Sequence, residues 1–170
     1  SVFSTHNVIH NNTCNGNVHE GVIVQAYCSY TTVTNNTCND NGGSGVQISA
    51  SSNCRISNNT GLRNLDGLSI LNVNIENVID NNVFSDNTRY GMYIGDSTGS
   101  LVANNTCVGN AQMGIRVNNF YSGFIVNNTC NEAGAGIYLT SSNDNQVRDN
   151  NCSLNTADPG SNYGIWLTSS

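Results

Sequence analysis

The sequence predicts an all-β solenoid in which one chain winds through about seven coils of ~23 residues each. The first observation behind this prediction is a motif with an apolar residue, then an Asn pair, then usually Thr-Cys, as in Val33-Thr34-Asn35-Asn36-Thr37-Cys38. The copies of the Asn pair begin at Asn11, Asn35, Asn58, Asn81, Asn104, Asn127 and, with Asp in the first place, Asp149. They recur at steps of 24, 23, 23, 23, 23 and 22 residues. A fixed period of this size is typical of repeat architectures.

The second observation is a Gly followed by apolar-x-apolar in every coil. The copies begin at Gly21, Gly45, Gly67, Gly91, Gly114, Gly136 and Gly164. This alternation predicts a strand whose side chains point in, out and in. We attribute the Gly to a positive φ or a close approach of the backbone at the bend into the strand.

A second short strand is expected at the apolar residue before each Asn pair, with polar turns between the strands. Because ~23 residues leave no room for a crossover helix, each strand must stack in parallel on its copy in the next coil. Crossovers between parallel strands are right-handed in nearly all cases. The predicted fold is therefore a right-handed single-stranded parallel β-helix, roughly 35 Å long at ~4.8 Å per coil.

The repeat fills the whole sequence, so we expect residues 1–170 to form a single β-helix domain without a recognisable cap at either end. Two interpretations follow. The chain is a segment of a longer protein, or the end coils of separate copies stack on each other. Such head-to-tail stacking would grow open filaments.

The composition argues against several classes of partner. Charged residues make up 9% of the chain, Lys is absent and the net charge is −6. Nucleic acids and anionic membrane surfaces both select basic proteins, so we expect neither as a partner. No apolar run of ~18 residues is present, so we expect no membrane insertion.

Cysteines and asparagines recur at fixed positions of the repeat. Five of the seven cysteines share one position, namely Cys14, Cys38, Cys107, Cys130 and Cys152. Gly61 and Phe84 occupy this position in the middle coils, so we interpret it as a packing position with free, buried thiols. Three residues later stand Asn17, Asn41, Asn64, Asn87, Asn110 and Asn155, with Ala133 as the exception. We predict that these amides form a hydrogen-bonded ladder at an inner corner.

The sequence gives no basis for a metal or another cofactor. His6, His10 and His19 all fall in the first coil and lack a third ligand of suitable spacing. The single column of thiols lacks the Cys-x-x-Cys spacing of a metal site. The Asn pairs match the N-glycosylation pattern. We expect several of their first residues to point inward, where they cannot carry a glycan.

The unit Asn-Asn-Thr-Cys-x-x-Asn…Gly-Ile-x-Val resembles the repeats of right-handed parallel β-helix proteins. It is most similar to carbohydrate-associated surface and periplasmic members, including the accessory protein of nitrous oxide reductase maturation. The resemblance covers all seven coils and implies the fold rather than one activity.

Enzymes of this fold use clustered Asp with Arg or Lys, or an Asp-Pro-His-Asp motif in the uronate epimerases. This chain has Asp158-Pro159-Gly160 instead of that motif. Its best acidic group, Asp80, Asp86 and Asp96 with Arg89 nearby in sequence, is expected on different faces of one coil. We therefore predict no catalytic residues.

One outward column suggests a binding surface. The x of Gly-apolar-x-apolar is Tyr93, Arg116, Tyr138 and Trp166 in four successive coils, and Tyr90 and Tyr163 precede their glycines. Aromatic faces can stack on sugar rings, so these six residues are the candidate carbohydrate site. Cross-strand stacking that only stabilises the sheet is the other interpretation.

We interpret the chain as a non-catalytic structural or adhesive segment of an extracellular or cell-surface protein or fibre. The aromatic column suggests a polysaccharide as a partner, and end-to-end stacking suggests other copies of the chain. The alternative is a carbohydrate-active enzyme, that is, a polysaccharide lyase, hydrolase or epimerase, so enzymatic activity stays open at this point.

Overall fold

The computed structural model describes residues 4–157 and 162–168, and these residues form fifteen strands. The strands are β1 (Val8–His10), β2 (Val22–Val24), β3 (Thr32–Thr34), β4 (Val46–Ser49), β5 (Arg55–Ser57), β6 (Asp66–Leu71), β7 (Asn74–Ile75), β8 (Val78–Asp80), β9 (Tyr90–Thr98), β10 (Leu101–Ala103), β11 (Met113–Tyr121), β12 (Phe124–Val126), β13 (Ala135–Thr140), β14 (Gln146–Arg148) and β15 (Tyr163–Thr168). The Asp158-Pro159-Gly160 segment lies outside the described residues.

The strands form two long sheets of parallel neighbours. Sheet I has the order β1-β3-β5-β8-β10-β12-β14. Sheet II has the order β2-β4-β6-β9-β11-β13-β15, with β7 added beside β9. Each strand pairs with its own copy one coil later, as Val33 does with Ile56 in sheet I and Val46 with Leu68 in sheet II. The predicted parallel β-helix and its register are thus confirmed.

A narrow third ladder runs along the turn between the two sheets. Single parallel bridges join Thr13, Thr37, Thr60, Val83, Thr106, Thr129 and Asn151 in order. The Thr of the Asn-Asn-Thr-Cys motif is therefore an outward residue that pairs with its copies, while the following Cys points inward.

The interior is filled by apolar columns from both sheets. Sheet I contributes Val33, Ile56, Ile79, Val102 and Ile125, all 0% exposed. The thiols of Cys38, Cys107 and Cys130 pack among them, whereas Cys14 and Cys152 in the end coils are half-buried. All seven cysteines are free, as predicted, and the predicted burial of the thiol column is confirmed for Cys38, Cys107 and Cys130 alone.

Two asparagine ladders support the corners, and the sequence predicted one of them. In the predicted ladder, the Nδ2 of Asn41 donates to the Oδ1 of Asn64 over 3.0 Å, and the bonding continues to Asn110. The other ladder joins the second residue of each pair, namely Asn12, Asn36, Asn59, Asn82, Asn105, Asn128 and Asn150.

The expectation that several of the first Asn residues of the pairs point inward is wrong. These residues are exposed and have left-handed backbone conformations, for example Asn35 with φ 57° and Asn58 with φ 55°. Asn is one of the few residues that adopt this conformation at low cost. The chain turns sharply at the first Asn, and this turn directs the second Asn inward.

The repeated Gly is required by close approach between coils. A Cβ atom built on Gly91 would lie 2.6 Å from the carbonyl oxygen of Gly114 and 2.8 Å from the Cβ of Cys107. Gly91 does not have a positive φ, so the other explanation offered for it does not apply. The strand of sheet II begins where two successive backbones nearly touch, and this brings the outward residues of neighbouring coils close together.

Candidate functional site

The outward column of sheet II brings together the four residues that its spacing predicted. Tyr93 pairs with Arg116, Arg116 with Tyr138, and Tyr138 with Trp166 in the strand register. All four are half-buried. Because neighbouring strands lie ~4.8 Å apart, the row forms a continuous surface roughly 14 Å long. We call it the aromatic row.

Aromatic contacts extend the aromatic row at its C-terminal end. The ring centroids of Tyr138 and Trp166 are 4.6 Å apart at an interplanar angle of 43°. Tyr163 lies 4.9 Å from Trp166 and is 48% exposed. The three rings form an open platform over the last two coils of sheet II.

Tyr90 differs from the other members of the predicted site because it is only 6% exposed. Its ring centroid lies 6.0 Å from that of Tyr93. The Nη1 of Arg116 donates a hydrogen bond of 2.5 Å to the hydroxyl of Tyr90. Tyr90 therefore supports the guanidinium of Arg116 from below and offers little surface of its own.

Arg116 lies among aromatic rings. Its guanidinium carbon is 5.4 Å from the ring centroid of Tyr90, 5.8 Å from that of Tyr93 and 5.7 Å from that of Tyr138. These distances allow cation–π attraction, which holds the guanidinium in place without neutralising its charge.

A groove of about 410 Å³ adjoins the aromatic row on the side of the earlier coils. Its floor contains Asp66, which has a side chain only 1% exposed, and Ser69, which is 3% exposed. Its walls include Arg89, Tyr90 and Arg116. Tyr93 and Arg116 of the aromatic row also line this groove.

A network of hydrogen bonds fixes the groove floor. Arg89 donates through Nε and Nη2 to the two carboxylate oxygens of Asp66, at 2.9 and 2.6 Å. The hydroxyl of Ser69 donates to Asp66 at 2.8 Å, and the hydroxyl of Ser44 donates to Ser69 at 2.8 Å. The hydrogen bonds that Arg89 donates to Asp66 raise the pKa of the Arg89 guanidinium.

The sequence did not single out Asp66. It precedes Gly67 in the repeat, at the position that Tyr90 and Tyr163 occupy before their own glycines. The alignment of the Gly motifs could therefore have shown that Asp66 shares a repeat position with two residues of the predicted site. The acidic group that the sequence did single out does not come together around Arg89. Asp80 instead accepts from Arg55 at 2.7 Å.

Family comparison identifies the repeat. The family described as "Periplasmic copper-binding protein (NosD)" matches residues 2–112 and, in an overlapping match, residues 45–170. The chain belongs to the NosD family. No curated protein sequence matches this NosD-family chain significantly.

Solved structures share the fold. The A-module of the Azotobacter vinelandii mannuronan C-5 epimerase AlgE4 superposes with a TM-score of 0.82 at 18% identity, over 95% of this chain and 49% of that one. The periplasmic alginate epimerase AlgG superposes with a TM-score of 0.77 at 22% identity, over 85% of this chain and 34% of that one. The NosD-family chain thus spans half or less of these structures. At such identities they confirm the right-handed β-helix fold alone.

No helix in the described residues combines the length and apolar character needed to cross a membrane.

Proposed function

We propose that this chain binds a polysaccharide lengthwise along the outer face of sheet II. The observation that carries the proposal is the aromatic row, in which Tyr93, Arg116, Tyr138 and Trp166 lie in register beside a groove. A pyranose ring in an extended chain advances by roughly the ~4.8 Å that separates neighbouring strands. One sugar ring can therefore lie over each coil.

The half-buried geometry of the row suits stacking on sugars. Tyr138 and Trp166 are tilted against each other, so each leaves part of one ring face open. Pairs of aromatic rings contribute about 0.5–1.5 kcal/mol each beyond the area they bury, and we expect a similar gain when a sugar ring lies on an aromatic face. A row of three or four such contacts is suited to the repeating units of a polymer.

Two comparisons support a carbohydrate role over an inert structural one. AlgE4 is a mannuronan C-5 epimerase and AlgG is an alginate epimerase, and both share this fold. The structural or adhesive role that the sequence favoured has no comparable support. AlgG is periplasmic and the family is described as periplasmic, which supports a location outside the cytoplasm.

Isothermal titration with oligosaccharides of alginate, pectin and mannan tests the binding proposal. Tyr138→Ala is expected to weaken binding about tenfold, as a lost stacking contact does. Tyr121→Ala is the matched control, because Tyr121 is 37% exposed and ends β11 away from the aromatic row. Equal effects of the two changes, or no binding of any oligosaccharide, would refute the proposal.

A carbohydrate-active enzyme is the second candidate, and the epimerases among the solved structures favour it. Asp66 lines the groove beside the aromatic row, and its oxygens are occupied by Arg89 and Ser69. This engagement suits a structural carboxylate better than a catalytic one. Proton NMR of alginate incubated with the chain would detect inverted or unsaturated uronates. Turnover that Asp66→Asn abolishes would establish this candidate.

The copper in the family description does not fit the described residues. Copper selects thiolate, thioether and imidazole ligands. No three His, Cys, Asp or Glu side chains converge in residues 4–157 and 162–168. His6 stacks on Tyr30 at 5.0 Å, and burial raises the pKa of the Cys38 thiol to about 12, which keeps it protonated.

A further inference from the structure

Arg116 is the one arginine without a carboxylate partner in the described part of the chain. The chain has five Lys and Arg residues in total, all of them Arg. The other four form ion pairs, namely Arg55 with Asp80, Arg63 with Asp40, Arg89 with Asp66 and Arg148 with Asp149. In a chain with net charge −6, a cation left without a carboxylate is a distinctive feature.

The guanidinium of Arg116 also has unused hydrogen-bonding capacity. Its Nε is buried and has no acceptor among the described residues. Nη1 donates to the hydroxyl of Tyr90, and the rings of Tyr90, Tyr93 and Tyr138 surround the group. A buried donor without an acceptor costs free energy, and an anion in the groove relieves that cost when the side chain turns Nε towards it.

The charges around the groove leave its Arg116 end positive. Asp66 and Arg89 neutralise each other on the floor. Glu20 also lines the groove, but it lies four coils before Arg116, roughly 19 Å away along the axis at ~4.8 Å per coil. The aromatic platform of Tyr138 and Trp166 begins directly beyond Arg116.

We propose that the polysaccharide is acidic and that Arg116 binds the carboxylate of a uronate unit whose neighbouring sugar stacks on Tyr138. This inference rests on the proposed function and adds the chemical class of the ligand. The planar guanidinium fork matches a planar carboxylate, which Lys would hold only as a point charge. The ring of Tyr93 lies on the other side of Arg116 in the register and continues the row.

The test compares one oligosaccharide with and without its carboxylates. The probes are hexamers of mannuronate and of galacturonate, each beside its carboxyl-reduced neutral counterpart. The chain contains a single Trp, Trp166, so quenching of its fluorescence reports binding at the platform. We expect each uronate hexamer to bind about tenfold or more tightly than its neutral counterpart. The preference should shrink as ionic strength rises.

Variants separate this inference from the proposed function. Arg116→Gln should abolish the preference, so that the variant binds each uronate hexamer no more tightly than its neutral counterpart, whereas Arg116→Lys should retain part of the preference. Arg63→Gln is the matched control, because Arg63 lies in an exposed ion pair outside the groove. Equal binding of acidic and neutral hexamers to the unaltered chain would overturn the inference and leave the proposed function standing. Should Arg116→Gln not fold, an unchanged preference in Arg116→Lys would overturn it too. Failure of both hexamer classes to bind would overturn the proposed function itself.

Discussion

Asn82 shows how one side chain holds three coils together. Its Nδ2 donates to the carbonyl oxygens of Ile56 and Asp80, at 2.9 and 3.1 Å, and to the Oδ1 of Asn105 at 2.9 Å. Its Oδ1 accepts from the backbone and side-chain nitrogens of Asn59, at 2.9 and 3.0 Å. Because Asn82 is 1% exposed, water cannot readily replace these bonds.

We therefore expect Asn82→Ala to lower the free energy of unfolding by about 3 kcal/mol, since several buried groups lose their partner. Urea unfolding followed by circular dichroism measures the loss. Asn58→Gly is the control, because Asn58 is exposed, has φ 55° and lies at a position that Gly tolerates. A loss for Asn82→Ala no larger than that for Asn58→Gly would contradict the supporting role of the inner ladder.

The thiol column predicts that stability falls at alkaline pH. Burial raises the pKa of the Cys38 thiol from 9.0 to about 12, with a smaller contribution from Cys14. Between these values the unfolded chain has lost a proton that the folded chain keeps. Stability is thus fully present below pH 9 and declines as the pH rises towards 12, by about 1.4 kcal/mol per pH unit for one group.

Urea midpoints at pH 8 and pH 10.5 measure this decline, and Cys38→Val should make the decline smaller. Val removes the titrating group and retains an apolar side chain of similar size. The same midpoint shift with and without the Cys38 thiol would show that other groups control the alkaline transition.

Single residues also mark the limit of what the sequence could predict. The repeat correctly predicted that Val33 and Cys38 are buried, because apolar side chains and thiols favour the interior over solvent. It could not decide which Asn of a pair points inward, since both are polar and only the left-handed turn at the first distinguishes them. Asp66 was missed for a related reason, because the position before each Gly holds Glu, Ser, Asp, Tyr, Met, Ala and Tyr in turn and shows no periodic pattern.

Strand β10 tests the inward and outward alternation at the level of one element. Val102 is 0% exposed, and Val126, in the adjacent strand β12, is a half-buried residue on the outer face of sheet I. Val102→Asp places a charge in the apolar interior and should cost more than ~3 kcal/mol. Val126→Asp should lower the free energy of unfolding far less, because the new carboxylate lies on the outer face beside its register partner Arg148. Comparable melting temperatures for the two variants would mean that the orientation of the strand is wrong.

The strands could be predicted from the sequence because their residues repeat at a strict period. The groove could not be predicted in this way. The Gly motif predicted the register of sheet II, and with it the pairing of Arg116 with Tyr93 and Tyr138. The groove depends on residues from different repeat positions, such as Asp66 before a Gly and Arg89 in a turn. These residues come together because the Arg89 side chain extends to Asp66 in the preceding coil. The spacing of residues within one column does not predict such a contact.

At the scale of the whole molecule, interior columns become exposed towards both ends of the described solenoid. Ile165 and Leu167 in β15 are 44% and 59% exposed, whereas their register partners Ile137 and Leu139 in β13 are 0% and 2% exposed. In the first coil, the inward residue Ile9 is half-buried, whereas its register partner Val33 is 0% exposed. Sheets whose outermost strands expose unpaired backbone groups and apolar side chains tend to associate.

We therefore expect the isolated 170-residue chain to associate end to end, because the same parallel register can continue from one copy to the next. Head-to-tail contacts do not close into rings, so particle length should rise with concentration in light scattering and electron microscopy. Ile165→Lys places an inward charge at the end coil and should yield a monomer. Val73→Lys is the control, because Val73 is 72% exposed on a turn away from the ends. An unaltered chain that stays monomeric at every concentration would exclude self-stacking, and rods that persist in Ile165→Lys would place the contact elsewhere on the molecule.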